Sequence, residues 1–139
     1  MTLRYFADSF FYIAVLNCRD QSHDQVVAKS SEIEGSIVTT DAVLLEVADA
    51  FSGLDDRVRI ARFLRMLWNT PGVKVIELSR GLLQKGLDLF ESRSDKDWTL
   101  TDCISFVVME EQGIGDALTG DHHFKQAGFN ILFPSEGMV

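Results

Sequence analysis

The chain has 139 residues, of which 46% are apolar, 24% charged and only 2 are proline; this is the make-up of one compact soluble domain spanning 1–139 and excludes a disordered or fibrous chain. A domain of this size buries about two thirds of its unfolded surface without disulfides or a structural metal. The net charge of −8 excludes attraction of nucleic acid by bulk charge, so a phosphate substrate needs a bound cation, a local arginine patch or a basic partner. The charge is uneven: residues 1–50 carry 3 basic and 8 acidic groups, 51–100 carry 9 and 7, and 101–139 carry 1 and 6.

The apolar stretch from Tyr5 to Leu16 is interrupted by Asp8 and lacks a basic flank and a small-residue cleavage site, so it does not read as a targeting segment. No apolar run approaches the ~18 residues of a membrane span, and the expected location is the cytoplasm. Cys18 and Cys103 have no partner at zinc-ligand spacing and are expected reduced, buried and inert.

Leu3 to Ala7 reads as the first strand, ending at Asp8-Ser9, with Phe10 to Leu16 as a helix. A second helix is predicted from about Asp20 to Glu34, capped by Gly35. Ile37-Val38-Thr39 follows as a strand, and Leu44, Ala48 and Phe51 give helical spacing from Thr40 or Asp41 onward. Asp55 and Asp56 open a helix whose apolar stripe is read as Val58, Ala61, Leu64, Leu67 and Trp68, closed by Pro71-Gly72. Val73, Val75 and Ile76 make a strand, Leu78 to Phe90 a helix, and Thr99 to about Gln112 another. Ala117 to Thr119 is a short strand, Asp121 to Ala127 a helical turn, and Ile131 to Phe133 a last strand. Strands alternating with crossover-length helices predict an α/β fold, a three-layer α/β/α sandwich around a mostly parallel sheet of four to five strands.

Four acids mark this frame. Asp8 follows the first strand, and Asp121 follows the strand at 117–119 after one glycine, where open parallel sheets bind ligands. Glu46 has Ala42, Val43, Asp49 and Ala50, mostly small or apolar, as neighbours on its side of its helix, and Asp102 shares a side with Ser105, Phe106 and Met109. Each has a structural alternative: Asp8 and Asp121 as N-caps, Asp102 as the partner of Thr99 in a capping box, Glu46 as an ordinary helix glutamate. Arg59, Arg62 and Arg65 recur every three residues and read either as a contact to nucleic-acid phosphates or as a solvated helix face. His122 and His123 read as exposed turn histidines, because carboxylates already suit a hard cation. Phe10 to Ile13 is read mainly as core, with part of it available to a second copy or a partner.

Asp8-Ser9, Glu46 within Thr39 to Ala48, Trp98 to Phe106 with Thr101-Asp102, and Leu118-Thr119-Gly120-Asp121-His122-His123-Phe124 followed by Gly128-Phe129 stand in one order along the chain. In this the chain resembles the PIN domain over nearly its whole length, and within that family the VapC-like toxin ribonucleases of toxin-antitoxin pairs. The resemblance implies a ribonuclease that uses Mg²⁺ or Mn²⁺ to hydrolyse RNA phosphodiester bonds, with Asp8, Asp102, Asp121 and Glu46 as metal-holding, catalytic acids. It implies an antitoxin partner and admits a homodimer. Ser9 and Thr119 would support the carboxylates from outside, or else are ordinary turn and strand residues.

Rival readings are a non-catalytic RNA- or protein-binding module and a PIN nuclease outside any toxin-antitoxin pair. Phosphotransfer chemistry fits less well. A dehalogenase-type enzyme needs a second Asp where Phe10 stands, and a receiver domain needs one at the end of the third strand, where Val75-Ile76 leads into Glu77.

Overall fold

A computed structural model of the chain describes residues 3–53 and 55–135. Five strands, β1 (Arg4–Ala7), β2 (Ser36–Thr40), β3 (Val73–Ile76), β4 (Asp116–Leu118) and β5 (Asn130–Ile131), form one sheet in the order β3-β2-β1-β4-β5. Every pairing is parallel, with Phe6 opposite Val38 on one side and Ala117 on the other. The expectation of a mostly parallel sheet is met by one parallel throughout. Phe6, Ala7, Val38, Thr39, Thr40, Ala117 and Leu118 are all buried, as sheets covered on both faces require.

Among the described residues, seven helices connect the strands: α1 (Ser9–Leu16), α2 (His23–Ser30), α3 (Asp41–Ala50), α4 (Arg57–Leu67), α5 (Arg80–Ser92), α6 (Leu100–Gln112) and α7 (His122–Gln126). From β1 through β2 to β3 the chain steps one way across the sheet, and from β3 through β4 to β5 it steps back. Right-handed crossovers therefore put α1 to α4 on one face and α5 to α7 on the other. The result is the three-layer α/β/α sandwich.

Helix α6 is buried over most of its circumference, from Asp102 through Phe106 to Met109, which marks a core helix rather than an amphipathic one. Phe106 packs edge-on against Trp98 and Phe124, with ring centroids 5.0 and 4.9 Å apart. Thr99 and Asp102 start the helix with a reciprocal capping box. It ends on Gly113 at φ 67°, where Ile114 N–H donates to the Met109 carbonyl and Gly113 N–H to that of Glu110, a left-handed cap that a side chain would strain.

Several expectations shift. Helix α2 is shorter than the 20–34 read from the sequence, because Asp20 Oδ1 accepts from Ser22 N–H and holds a turn instead. Gly35 is not its cap: at φ 144° it runs beside β1, and a Cβ there would lie 2.4 Å from the Leu3 carbonyl oxygen. The buried side of α4 is Ile60 and Leu67, with Phe63 and Leu64 half-buried, whereas Val58 and Trp68 are exposed. The true stripe is thus i, i+3, i+4, i+7 counted from Ile60. Strand β5 stops at Ile131, although Phe133 remains in the core, stacked with Phe10 and Phe11. Cys103 is buried as expected, but Cys18 is exposed just beyond the end of α1. Among the described residues, no helix is long and apolar enough to cross a membrane.

Candidate metal centre

Strands β1 and β4 are neighbours, yet the chain leaves them toward opposite sides of the sheet. The crevice beyond their carboxyl ends is the topological switch point, where α/β sheets bind ligands. Asp8 follows β1 and Asp121 follows β4 by way of Thr119 and Gly120. Glu46 reaches the same edge from α3 and Asp102 from the first turn of α6. The charges of Asp102 and Asp121 raise both Asp8 and Glu46, and that of Asp121 raises Asp102. The four acids therefore share one electrostatic neighbourhood.

Asp8 stands at the N-cap position of α1 but makes no capping hydrogen bond. Its Oδ2 instead accepts from the Thr119 hydroxyl at 2.8 Å, while its Oδ1 is buried with no hydrogen-bond partner. Burial pushes this carboxyl well above the usual carboxylate range; the Thr119 bond offsets part of that, and Asp121 and Asp102 add to it. The Phe11 amide also favours the charge from nearby, without reaching hydrogen-bond geometry. Thr119 Oγ1 accepts from Asp121 N–H at 3.0 Å, so this fully buried hydroxyl ties the ends of β1 and β4 together.

Asp121 does cap α7, its Oδ1 accepting from His123 N–H at 2.9 Å. Asp102 does complete the capping box, its Oδ2 accepting from Thr99 N–H at 3.1 Å. Capping leaves the other oxygen of each carboxylate available, so the structural role and a ligand role coexist. Burial raises Asp102 above its ordinary value, with the Thr99 amide and His123 opposing it. Burial also raises Glu46, which is half-buried, with the nearby Ser9 hydroxyl opposing it.

His122 is exposed as expected, with 59% of its side chain accessible, but His123 is not, at 15%. Its ring is drawn between carboxylates: Nδ1 lies 2.9 Å from Asp102 Oδ2 and 3.5 Å from Asp121 Oδ1, and Nε2 lies 3.3 Å from Asp97 Oδ1. The sequence hint was slight, a histidine two residues after Asp121 at the start of the same turn. Asp121, His122 and His123 each offer a ligand atom within 4.8 Å of one another, although nitrogen suits a hard cation less than the carboxylates do.

The arginines lie elsewhere. Arg59 donates to the Leu16 carbonyl at 3.0 Å, pairs with Asp56 and sits 5.8 Å over the Phe51 ring. Leu16 and Phe51 are at the C-terminal ends of α1 and α3, about 12 Å of helix beyond Asp8 and about 8 Å beyond Glu46. Arg62 and Arg65 are exposed on the same helix. A groove of about 490 Å³ lined by Leu89, Trp98, Phe106 and Phe129 among others contains none of the four acids.

The residues fit a divalent cation. Four oxygen-donor carboxylates, three with raised proton affinity, lose their mutual repulsion when a cation sits among them. The orphaned Asp8 Oδ1 is the donor that such an ion would satisfy.

Solved structures repeat the architecture. The chain is similar to VapC20 of Mycobacterium tuberculosis, described as a sarcin-ricin loop cleaving toxin, at TM-score 0.82 and 22% identity over 90% of this chain and 95% of that one. It is also similar to VapBC2 of Rickettsia felis, solved with a promoter DNA fragment, at TM-score 0.64 and 12% identity over 93% and 97% of the two chains. FitAcB of Neisseria gonorrhoeae matches at TM-score 0.63 and 12% identity over 94% and 97%. A sequence search of curated proteins returns no match. A family model described as the PIN domain matches residues 5–130, and the chain belongs to the PIN domain family.

Proposed function

We propose that this chain is a divalent-metal-dependent endoribonuclease and the toxin of a toxin-antitoxin pair. The observation that carries the reading is the buried, unpartnered Oδ1 of Asp8 among carboxylates from four separate elements at the switch point. The RNA substrate and the antitoxin partner are supported by likeness to proteins described as a toxin and as VapBC and FitAB complexes. Membership of the PIN family supports the metal.

In this reading Asp8, Asp102 and Asp121 hold one or two Mg²⁺ or Mn²⁺ ions, and Glu46 is a further ligand or orients the attacking water. The bound cation supplies Lewis acidity, lowering the pKa of water and neutralising charge on the phosphate. Thr119 holds Asp8 Oδ2 and so leaves Oδ1 for the ion. The Thr99 capping box holds Asp102, and its own cap bond holds Asp121. Where Glu46 orients the water, its carboxylate is the group in reach of the proton that the water gives up. Ser9 steadies Glu46, and no covalent intermediate is needed.

The test is purified chain incubated with single-stranded and structured RNAs, with and without Mg²⁺ or Mn²⁺, beside Asp8→Asn and Asp102→Asn. Metal-dependent cleavage lost in both variants is expected. Cleavage that survives a chelator or both substitutions would overturn the mechanism, and RNA binding without cleavage would favour a non-catalytic module. A small DNA-binding protein encoded upstream that co-purifies with the chain and blocks cleavage is the expected antitoxin.

A further inference from the structure

We infer that His123 is a positioning residue that fixes Asp102 relative to Asp121, with Asp97 holding the far side of its ring. This rests on the metal-carboxylate reading of the site. The side chain of an aspartate turns about a broad torsion at its carboxylate, so the single bond from Thr99 N–H leaves the Asp102 oxygens free to swing. A second donor from another element removes that freedom. His123 Nδ1 supplies it at 2.9 Å, on the same Oδ2 that Thr99 occupies; an ionised carboxylate only accepts, so the ring nitrogen donates. Both fixing bonds go to one oxygen, which leaves Oδ1 to a ligand.

The same residue reaches a second acid through its backbone, whose N–H donates to Asp121 Oδ1 at 2.9 Å. One residue thus sets the spacing between two carboxylates that arrive on different elements. Its own place is set by the core, because the next residue, Phe124, is fully buried against Phe6 and Phe106. Asp97, otherwise exposed, lies 3.3 Å from Nε2. Nδ1, the ring nitrogen that faces the acids, is taken up as a donor to Asp102, so toward the site the ring acts through Asp102 rather than as a ligand.

Mn²⁺ binding by calorimetry on the purified chain, together with the Mn²⁺ dependence of RNA cleavage, tests this in His123→Ala, His123→Asn and Asp97→Ala. His123→Ala is expected to weaken Mn²⁺ binding by about 10–100-fold, the range for removing the outer partner of a metal ligand. The Mn²⁺ needed for half-maximal cleavage should rise in step, with the KM for RNA little changed. His123→Asn keeps an amide donor where Nδ1 stood and should recover most of the loss. Asp97→Ala should give a smaller loss in the same direction, and these two variants carry the test if His123→Ala does not fold. Mn²⁺ binding in His123→Ala equal to the wild type, or His123→Asn as weak as His123→Ala, would overturn the positioning role. Wild-type chain that binds no Mn²⁺, or binding unaltered by Asp8→Asn, would instead overturn the metal reading beneath it.

Discussion

Asp8 shows what a single buried carboxylate does to a fold before any ion arrives. One oxygen is held by Thr119 and the other by nothing, so the charge is stabilised only in part. Asp8→Asn removes it while keeping the shape. The metal-free protein should then become more stable, because the amide keeps the shape without the uncompensated charge, measured by denaturant unfolding in chelator. RNA cleavage by the same variant should fall by more than the about 10–100-fold typical of losing an outer partner, since a ligand itself is lost. Gain of stability with loss of activity is the signature of a site held against its own repulsion. The pH dependence has a fixed sign. Folding raises Asp8, Glu46 and Asp102 above their ordinary values, so their contribution to stability is complete below the unfolded carboxylate range. It is lost as pH rises through the raised folded values. The melting temperature of the metal-free chain should therefore climb as pH falls through the raised folded values toward the unfolded carboxylate range, and Asp8→Asn should flatten that slope.

At the scale of elements, the site depends on how tightly β4 turns into α7. A Cβ on Gly120 would lie 2.7 Å from Phe10 Cζ and 2.7 Å from the Phe133 carbonyl oxygen. The backbone oxygen cannot rotate away, so the corner that carries Thr119 and Asp121 must move. Gly120→Ala is expected to cost about 1–3 kcal/mol, as overpacking does, and to lower cleavage at fixed Mn²⁺ beyond what the stability loss explains. Unfolding curves and initial rates on the same preparation check both. Thr99 acts on another element: Thr99→Ala removes the N-cap of α6, costs about 1 kcal/mol and loosens Asp102. Its melting temperature should fall even in chelator, which separates it from Asp8→Asn.

For the whole molecule, a ligand that binds only the folded state stabilises it by mass action, about 2.7 kcal/mol at a hundredfold excess over Kd. Saturating Mn²⁺ should raise the melting temperature of the wild type, and the rise should vanish in Asp8→Asn. If the chain is the metal-dependent ribonuclease proposed above, its net charge of −8 makes that ion the bridge to RNA, because the bulk field repels a polyanion. RNA binding measured by anisotropy should strengthen on adding a divalent cation to a catalytically slow variant such as Glu46→Gln.

Much of this was legible in the residues. Alternating apolar runs and breakers marked five strands and the helices between them, since period and punctuation are local properties of a chain. The order of Asp8, Glu46, Asp102 and Asp121 placed acids at strand ends and on inward helix faces, and Thr99 with Asp102 announced a capping box. Sheet order, and with it the switch point between β1 and β4, came only from pairing residues far apart in sequence. So did the bond of Thr119 to Asp8 across 111 positions, which is why Asp8 does not cap α1. His123 read as exposed because turns are usually solvated, whereas packing of Phe124 draws the neighbouring ring between three carboxylates. Chemical type and local periodicity were in the sequence; which oxygen is bonded, and which is left over, is decided by contacts that only the folded chain brings together.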